Sequence, residues 1–471
     1  MSSARVVVVG GGISGLAAAW ELTQRLPGAH IRVVDASDRP GGKLRLESVA
    51  GHRIDVGAES VLVRRPEAVG LVEEVGAGSL LTHPATTSAS VWSRGHLHPL
   101  PKGTLMGVPG EPEAARGLLT DEEVARAADE QPWPGGALDD DVAVGDYVGA
   151  RLGSAVVDRL VEPLLGGVYA GHARRLSLQA CVPALFEVAR SGGSLTAAAR
   201  AAAAAGAANT SPVFAGVVGG VGRFAELLVA ALRARGVEIC SGVIARELHR
   251  RPGGGWTVVT GPRPSPEVLD ADAVVLALPA APASRLLRGH APAAAEELAG
   301  IEYASMAIVT LAVAKKGLGD LPGSGFLVPP ADARAIKAST FSSSKWSWVD
   351  SLSDDAFYLR ASVGRAREEA DLQRPDEELV RLAVREVSEA VGRPLSPVLD
   401  AQVQRWGGGL PQYAVGHRAR VARVRASVAA VPGLEVAGAA YGGVGIPACV
   451  ASGRAAAAGV ATHLTAAVGE G

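Results

Sequence analysis

The sequence predicts an α/β fold, and three observations predict it. Val6-Val7-Val8-Val9 is a β-branched run near the start of the chain, apolar without alternation, as a strand buried in a parallel sheet must be. Glycines then fall at Gly10, Gly12 and Gly15, with Gly11 between the first two. That spacing allows a tight turn, a close approach of backbone to a pyrophosphate, and close packing of the next helix on the strand. A helical pattern runs from Ile13 and Ser14 to Arg25, so its N-terminus points free N–H groups and a positive dipole end at the phosphates. The second strand, Ile31 to Val34, ends on Asp35, about twenty residues after the last glycine, where a carboxylate can take hydrogen bonds from a ribose. This is the order of a Rossmann-type dinucleotide-binding domain. A glycine-rich turn in another α/β fold would leave Asp35 unexplained. The acid also disfavours a 2′-phosphate, and with it NADP.

The rest of the chain follows in order. Residues 1–65 hold this first part, including Arg39-Pro40-Gly41-Gly42-Lys43. A plain NAD domain would continue into a helix here. A doubled glycine flanked by Arg and Lys predicts an extended turn near phosphates and a flavin ring. Residues 45–57 read as a hairpin turning at Ala50-Gly51, and Ala58-Glu59-Ser60 then carries backbone close to the ring. Residues 66–209 read as a largely helical insertion, with helices at 71–75 and 120–128. The alanine-rich stretch 195–208 inside it reads as a helix end or a solvated insert. Residues 210–303 return to the nucleotide domain: a helix from Gly219 to about Ala234, a β-meander over 237–260, then the buried strand at 273–278. Residues 304–405 read as a mixed α+β lobe with strands at 307–314 and 357–363 and a helix at 377–391. Residues 406–471 close the sheet with a strand at 434–438 and a helix from Pro447, a residue suited to a first helical turn.

Composition sets the class. A chain of 471 residues is too long for one compact core. Net charge is −2 with no basic block, so nucleic acid is not an expected partner. Cys181, Cys240 and Cys449 lie far apart, without metal spacing, and fit a reducing cytosol. No signal peptide or membrane span is read, so the expected location is cytoplasmic, with peripheral membrane contact left open.

The doubled glycine, the hairpin and Gly57-Ala58-Glu59-Ser60 resemble the FAD-binding half of the amine-oxidase-like flavoprotein superfamily. The tracts Glu162 to Gly171, Leu410-Pro411-Gln412-Tyr413 with Gly416-His417, and Gly442-Gly443-Val444-Gly445-Ile446-Pro447 narrow the resemblance to the porphyrinogen oxidases, above all the coproporphyrinogen III oxidases of Gram-positive bacteria. It runs nearly end to end. The fold it implies is a Rossmann-type FAD-binding domain with a mixed α+β substrate domain and a helical insertion. It also implies FAD, oxidation of a porphyrinogen by molecular oxygen with hydrogen peroxide as product, and a place in haem biosynthesis. By position, Gly10 to Gly15 would hold the pyrophosphate, Asp35 and Ala36 the ribose, and Gly42 and Lys43 the phosphate side. Gly57, Ala58, Glu59 and Ser60 would lie by the ring, Val243 by the adenine, and Trp406, Ile446, Pro447 and Ala448 by the flavin. Two departures stand out: Ala58 replaces a usual proline, and Gly407-Gly408-Gly409 replaces bulkier polar residues.

The chemistry belongs to the cofactor, so no catalytic side chain is nominated. A substrate with four propionates needs cations at the cleft rim, best supplied by arginine. Arg64 and Arg65 are the first choices, then Lys345, Arg174 and Arg175; a solvated surface charge is the plain alternative for each. Tyr169, His172 and His417 are further candidates to line the pocket. His96 and His98 have no accompanying carboxylate or cysteine, and no metal is expected. Oxidation of protoporphyrinogen, an amine oxidase or carotenoid desaturase, and a non-catalytic flavin-binding partner remain rival readings. Contact with a ferrochelatase and the choice between monomer and homodimer are left open.

Overall fold

Val6 to Val9 lie in the middle of a five-stranded parallel sheet in the structure, a computed structural model that describes residues 3–208 and 212–469. Arg5–Val9 pairs with His30–Asp35 on one side and Ala273–Leu276 on the other, placing Val8 opposite both Val33 and Val275. Glu238–Ser241 and Leu434–Val436 complete the two edges. Val6 and Val8 pack toward the helices Ile13–Arg25, Val221–Ala234 and Ile446–Gly469. Val7 and Val9 pack toward Trp256, Leu286 and Val424 on the other face. With both faces covered, the central strand has no polar position to offer. Gly453 lets the C-terminal helix cross the first helix at contact, since a β-carbon there would sit 2.1 Å from the Ser14 carbonyl oxygen.

A three-stranded antiparallel meander, Ala245–Arg250, Trp256–Thr260 and Glu267–Ala271, leads into Ala273–Leu276. The strand expected at 237–239 belongs to the parallel sheet instead, beside His30–Asp35, and Glu267–Ala271 takes its place in the meander. The expected hairpin forms between Leu46–Val49 and His52–Asp55, with Ala50 and Gly51 both at positive φ.

The second sheet has seven strands, in the order Val398–Pro411, Tyr303–Ala314, Ala356–Val363, Ile336–Thr340, Gly325–Leu327, Ser90–Ser93, His96–Pro99. Two expectations change here. The stretch 66–209 carries strands as well as helices: its Ser90–Ser93 and His96–Pro99 hairpin, turning at Arg94 and Gly95 with φ of 53° and 83°, joins this sheet. Four-residue strands carry little local signal, and this hairpin joins the sheet through Gly325–Leu327, far along the chain. The boundary expected at 405 also moves, because Val398–Pro411 is one continuous strand, so Trp406 belongs to the second sheet. The alanine-rich stretch is a helix along its full length, Leu195–Ala208, as the strongest helix-forming residue favours. Asn209 lies outside the described residues. Among the described residues no helix is long and apolar enough to cross a membrane.

One face of this sheet packs on Asp376–Val391 through Phe326, Ile336, Leu359, Ala361, Val363, Leu379 and Val387, all buried. The opposite face is different. Met306, Leu327, Ala338, Thr340, Arg360 and Ser362 are all partly exposed although they stand on interior strands. Such exposure on interior strands points to a cleft on this face, next to Gly57, which Arg360 reaches, and the Glu162–Tyr169 helix. Gly167 of that helix faces Leu327 at 3.6 Å from its β-carbon position and remains exposed.

Candidate functional site

The three glycines of the first turn do different work. A β-carbon on Gly10 would lie 2.2 Å from the Ala277 carbonyl oxygen, and one on Gly15 would lie 1.8 Å from the Gly10 carbonyl oxygen. The protein's own backbone requires both. A β-carbon on Gly12 would meet nothing among the described residues within 4 Å. Gly12 also opens the Ile13–Arg25 helix, whose first turn carries no acid and whose N-cap makes no side-chain hydrogen bond. Free N–H groups at a helix start facing open space suit an anion. Ile13 and Ser14 are buried at the foot of this helix.

Asp35 accepts from the Gly11 amide and, at 2.7 Å, from the Ser37 amide, while its carbonyl oxygen accepts from the Val243 amide at 2.8 Å. This brings Val243 to Asp35, and leaves Ala36 exposed beside it. The doubled-glycine turn closes over the first: Gly41 N–H donates to the Gly11 carbonyl at 2.8 Å, and a β-carbon on Gly42 would lie 3.2 Å from Gly12 Cα. Lys43 keeps solvent contact while protein surrounds it, the situation of a side chain on a deep wall, and burial lowers its ammonium pKa.

Residues 55–59 are gripped from several directions. Asp55 accepts from the Val221 and Gly222 amides at 2.9 Å, where the Val221–Ala234 helix begins. Burial pushes its carboxyl up to about 7, against the pull of those two amides. Ala58 N–H donates to the Lys43 carbonyl at 3.0 Å, and the Trp406 indole to the Val56 carbonyl at 3.1 Å. A β-carbon on Gly57 would lie 1.9 Å from the Lys43 carbonyl oxygen and 3.2 Å from the Trp406 ring, which explains glycine there. Arg360 Nη1 donates to the carbonyls of Asp55 and Gly57 at 3.0 and 2.9 Å. Glu59 sits below, paired with Lys345 Nζ at 2.5 Å and Arg360 Nε at 3.4 Å. Burial raises the Glu59 carboxyl, but Arg360 and Lys345, with a bond from Trp346, outweigh it and hold it at about 2. Ser60 continues this partly exposed edge. Asp55 and Arg360 were missed in the sequence. Nothing local marks an arginine in Tyr358-Leu359-Arg360 as the clamp on a turn three hundred residues away.

The Gly442 to Ile446 loop leads into the C-terminal helix, with Gly442 and Gly445 exposed and Ile446, Pro447 and Ala448 buried. Tyr413 holds this loop, accepting from the Gly443 amide at 2.8 Å and donating to the Ala439 carbonyl. The Tyr169 and His417 rings pack on Tyr413, the latter stacked at 3.8 Å. Both are buried, so the structure places them behind the loop and not on the cleft wall. Lys345, expected at the rim, is committed to Glu59. Arg65 lies 3.6 Å from the Gly443 β-carbon position and pairs with Glu67 at 2.9 Å, whereas Arg64 lies 3.6 Å from that of Gly206, on the alanine-rich helix. Of the two, Arg65 is the one beside the loop. Gly407 to Gly409 form a bulge between the pairs Met306–Trp406 and Ala304–Leu410, with Gly408 at φ 56°.

Burial pushes the His417 imidazole down to about 4 from an ordinary 6.5. The unfolded chain takes that proton near 6.5 and the folded chain only near 4, so stability should fall as pH drops through this window. The loss should reach about 3 kcal/mol near pH 4. Thermal unfolding of the wild type and His417→Phe across this range measures it, and an equal slope in both would refute the assignment.

The sequence profile described as flavin containing amine oxidoreductase matches residues 13–461. A coproporphyrinogen III oxidase of Mycobacterium leprae is 38% identical over 97% of this chain and 98% of that one. A coproporphyrinogen III oxidase of Bacillus subtilis is 31% identical over 98% of each. A crystal structure named as a protoporphyrinogen oxidase from Exiguobacterium sp. 255-15 superposes with a TM-score of 0.85 at 33% identity, covering 98% of this chain and 99% of that one.

Proposed function

The chain belongs to the flavin-containing amine oxidoreductase family, and from that premise we propose that it oxidises coproporphyrinogen III to coproporphyrin III in haem biosynthesis, with FAD as cofactor and molecular oxygen as acceptor. The observation that carries this reading is the match, over nearly the whole length of both chains, to relatives of that name. The residues fit the cofactor. Gly12 leaves open space before the helix N-terminus, Asp35 stands beside that turn where it would meet a ribose, and the glycines at 442 and 445 face solvent beside the second helix start.

When bound, FAD supplies a hydride acceptor and passes the electrons to oxygen; three such two-electron steps would convert the porphyrinogen and yield three hydrogen peroxides. The chain's own part is placement. The Asp35 carboxylate and the first helix N-terminus would orient the nucleotide end. The Arg360–Glu59–Lys345 group fixes the backbone of residues 55–59, on which the ring would rest. The cleft over Met306, Leu327, Ala338 and Ser362 would take the macrocycle, with Arg65 toward a propionate. Pyrrole protons would leave to water, so no base is assigned.

Anaerobic mixing with coproporphyrinogen III should bleach the flavin absorbance, and readmitted oxygen should restore it with peroxide formed. Faster bleaching by protoporphyrinogen IX would shift the reading to that substrate. A yellow protein bleached by neither would be a flavin-binding partner of the pathway and not its oxidase.

A further inference from the structure

Lys337 is a buried amine that the fold leaves without a partner. The residue is 5% exposed, and Nζ makes no hydrogen bond among the described residues. The strand register explains how it comes to stand there. Ile336 pairs with Val363 and Ala338 with Ser362, so Lys337 is the extra residue of a β-bulge. Ile336 faces the core and Ala338 faces the cleft, and the bulge inserts Lys337 at the point where the strand changes face. Its carbonyl accepts from the Val328 amide at 2.9 Å, one residue from the cleft-lining Leu327.

The charged group that acts on it is another cation. Arg365 is itself buried and donates to the Val328 carbonyl at 2.9 Å. The anions nearby are committed elsewhere. Glu368 reaches Arg365 at 3.9 Å and His172 at 3.3 Å. Glu162 accepts from the Ala173 amide at 3.0 Å, and Glu386 from the Ile336 amide at 3.0 Å. Burial, with Arg365 adding to it, pushes the Lys337 ammonium down to about 7. A buried cation beside a second cation lowers stability unless an anion joins them. A methionine would fill the same space at no such cost.

We propose that Lys337, flanked by Arg365, is the receiving position for a carboxylate of the substrate, at the end of the cleft away from Glu59. The register sets this end: Arg360, at the Glu59 side, and Ser362 stand two residues apart on one strand, and Lys337 lies beyond Ser362. This rests on the proposed function, because it assigns one propionate of a flat tetracarboxylate bound over that sheet face. It gives the site a reason to prefer a substrate with more propionates, since a macrocycle with carboxylates on one side only would leave the amine unpaired.

The test is Lys337→Met, compared with wild type for melting temperature and for binding of coproporphyrin III and its tetramethyl ester, followed by fluorescence. The variant should melt higher, bind the free acid at least tenfold more weakly, and bind the ester as wild type does. Unchanged binding of the free acid would overturn the proposal and leave Lys337 a structural orphan. Should Lys337→Met fail to accumulate, Ala338→Glu decides: an anion set on the cleft wall beside the amine should weaken the free acid to a similar extent, and wild-type affinity would overturn the proposal. A wild-type protein that neither binds coproporphyrin III nor oxidises its porphyrinogen would instead defeat the proposed function.

Discussion

A Gly12→Val chain is expected to fold as the wild type does and to purify without flavin. Gly12 has φ −70° and ψ 174°, an extended conformation open to any residue, and its β-carbon would meet no described atom within 4 Å. The change should therefore alter the stability of the flavin-free protein by less than about 0.5 kcal/mol, as for an ordinary exposed position. The valine would fill the space before the helix N-terminus, where a pyrophosphate needs to touch backbone. Flavin affinity should fall by three orders of magnitude or more, about 4 kcal/mol. Gly15→Val is the matched control. Its β-carbon would overlap the Gly10 carbonyl oxygen at 1.8 Å, so this chain should fail to fold at all. Absorbance at the flavin band and circular dichroism of both variants separate the two effects. A Gly12→Val protein that retains stoichiometric flavin would show that the cofactor does not lie against this turn.

Removing the Glu59 carboxylate should be the most destabilising single change of charge at the site. Glu59→Gln leaves Lys345 and Arg360, with side chains 17% and 12% exposed, facing each other across a neutral amide. Breaking a buried ion pair from one side costs about 3–5 kcal/mol, because the remaining charge has neither water nor partner. Adding Lys345→Met to Glu59→Gln should recover much of the loss. Melting temperatures of the single and double variants measure this, and a single variant as stable as wild type would refute it. The same group sets an acid limit. In the folded chain the Glu59 carboxyl titrates at about 2, against an ordinary 4.5. The unfolded chain thus takes up the proton first, and the ion group's contribution is complete above 4.5 and lost as pH falls toward 2. The loss amounts to about 3 kcal/mol. It follows the His417 loss on the pH axis, so acid should weaken the protein in two successive stages.

The nucleotide half of the protein was legible because its signals are local. Four valines, three glycines at fixed spacing and an acid at the end of the next strand lie within the first 35 residues, and together they spell out a strand, a turn, a helix start and a second strand. The Ala50-Gly51 turn and Pro447 at the start of the last helix were readable for the same reason. The second sheet was only half readable. Tyr303–Ala314 and Ala356–Val363 are mostly apolar, but Ser90–Ser93, Gly325–Leu327 and Ile336–Thr340 are short, and Ser90–Ser93 enters the sheet through a partner more than two hundred residues away.

By itself the sequence determined the class of cofactor domain, its glycine turn and the acid that ends its second strand, because the pattern that marks them is contiguous in the chain. Tertiary structure alone decided that Lys345 neutralises Glu59, that Arg360 clamps the turn at Gly57, that Tyr169 and His417 stand behind a loop, and that Lys337 has no partner among the described residues. The physical reason is that a charge takes its meaning from what surrounds it, and these surroundings are assembled from segments up to three hundred residues apart.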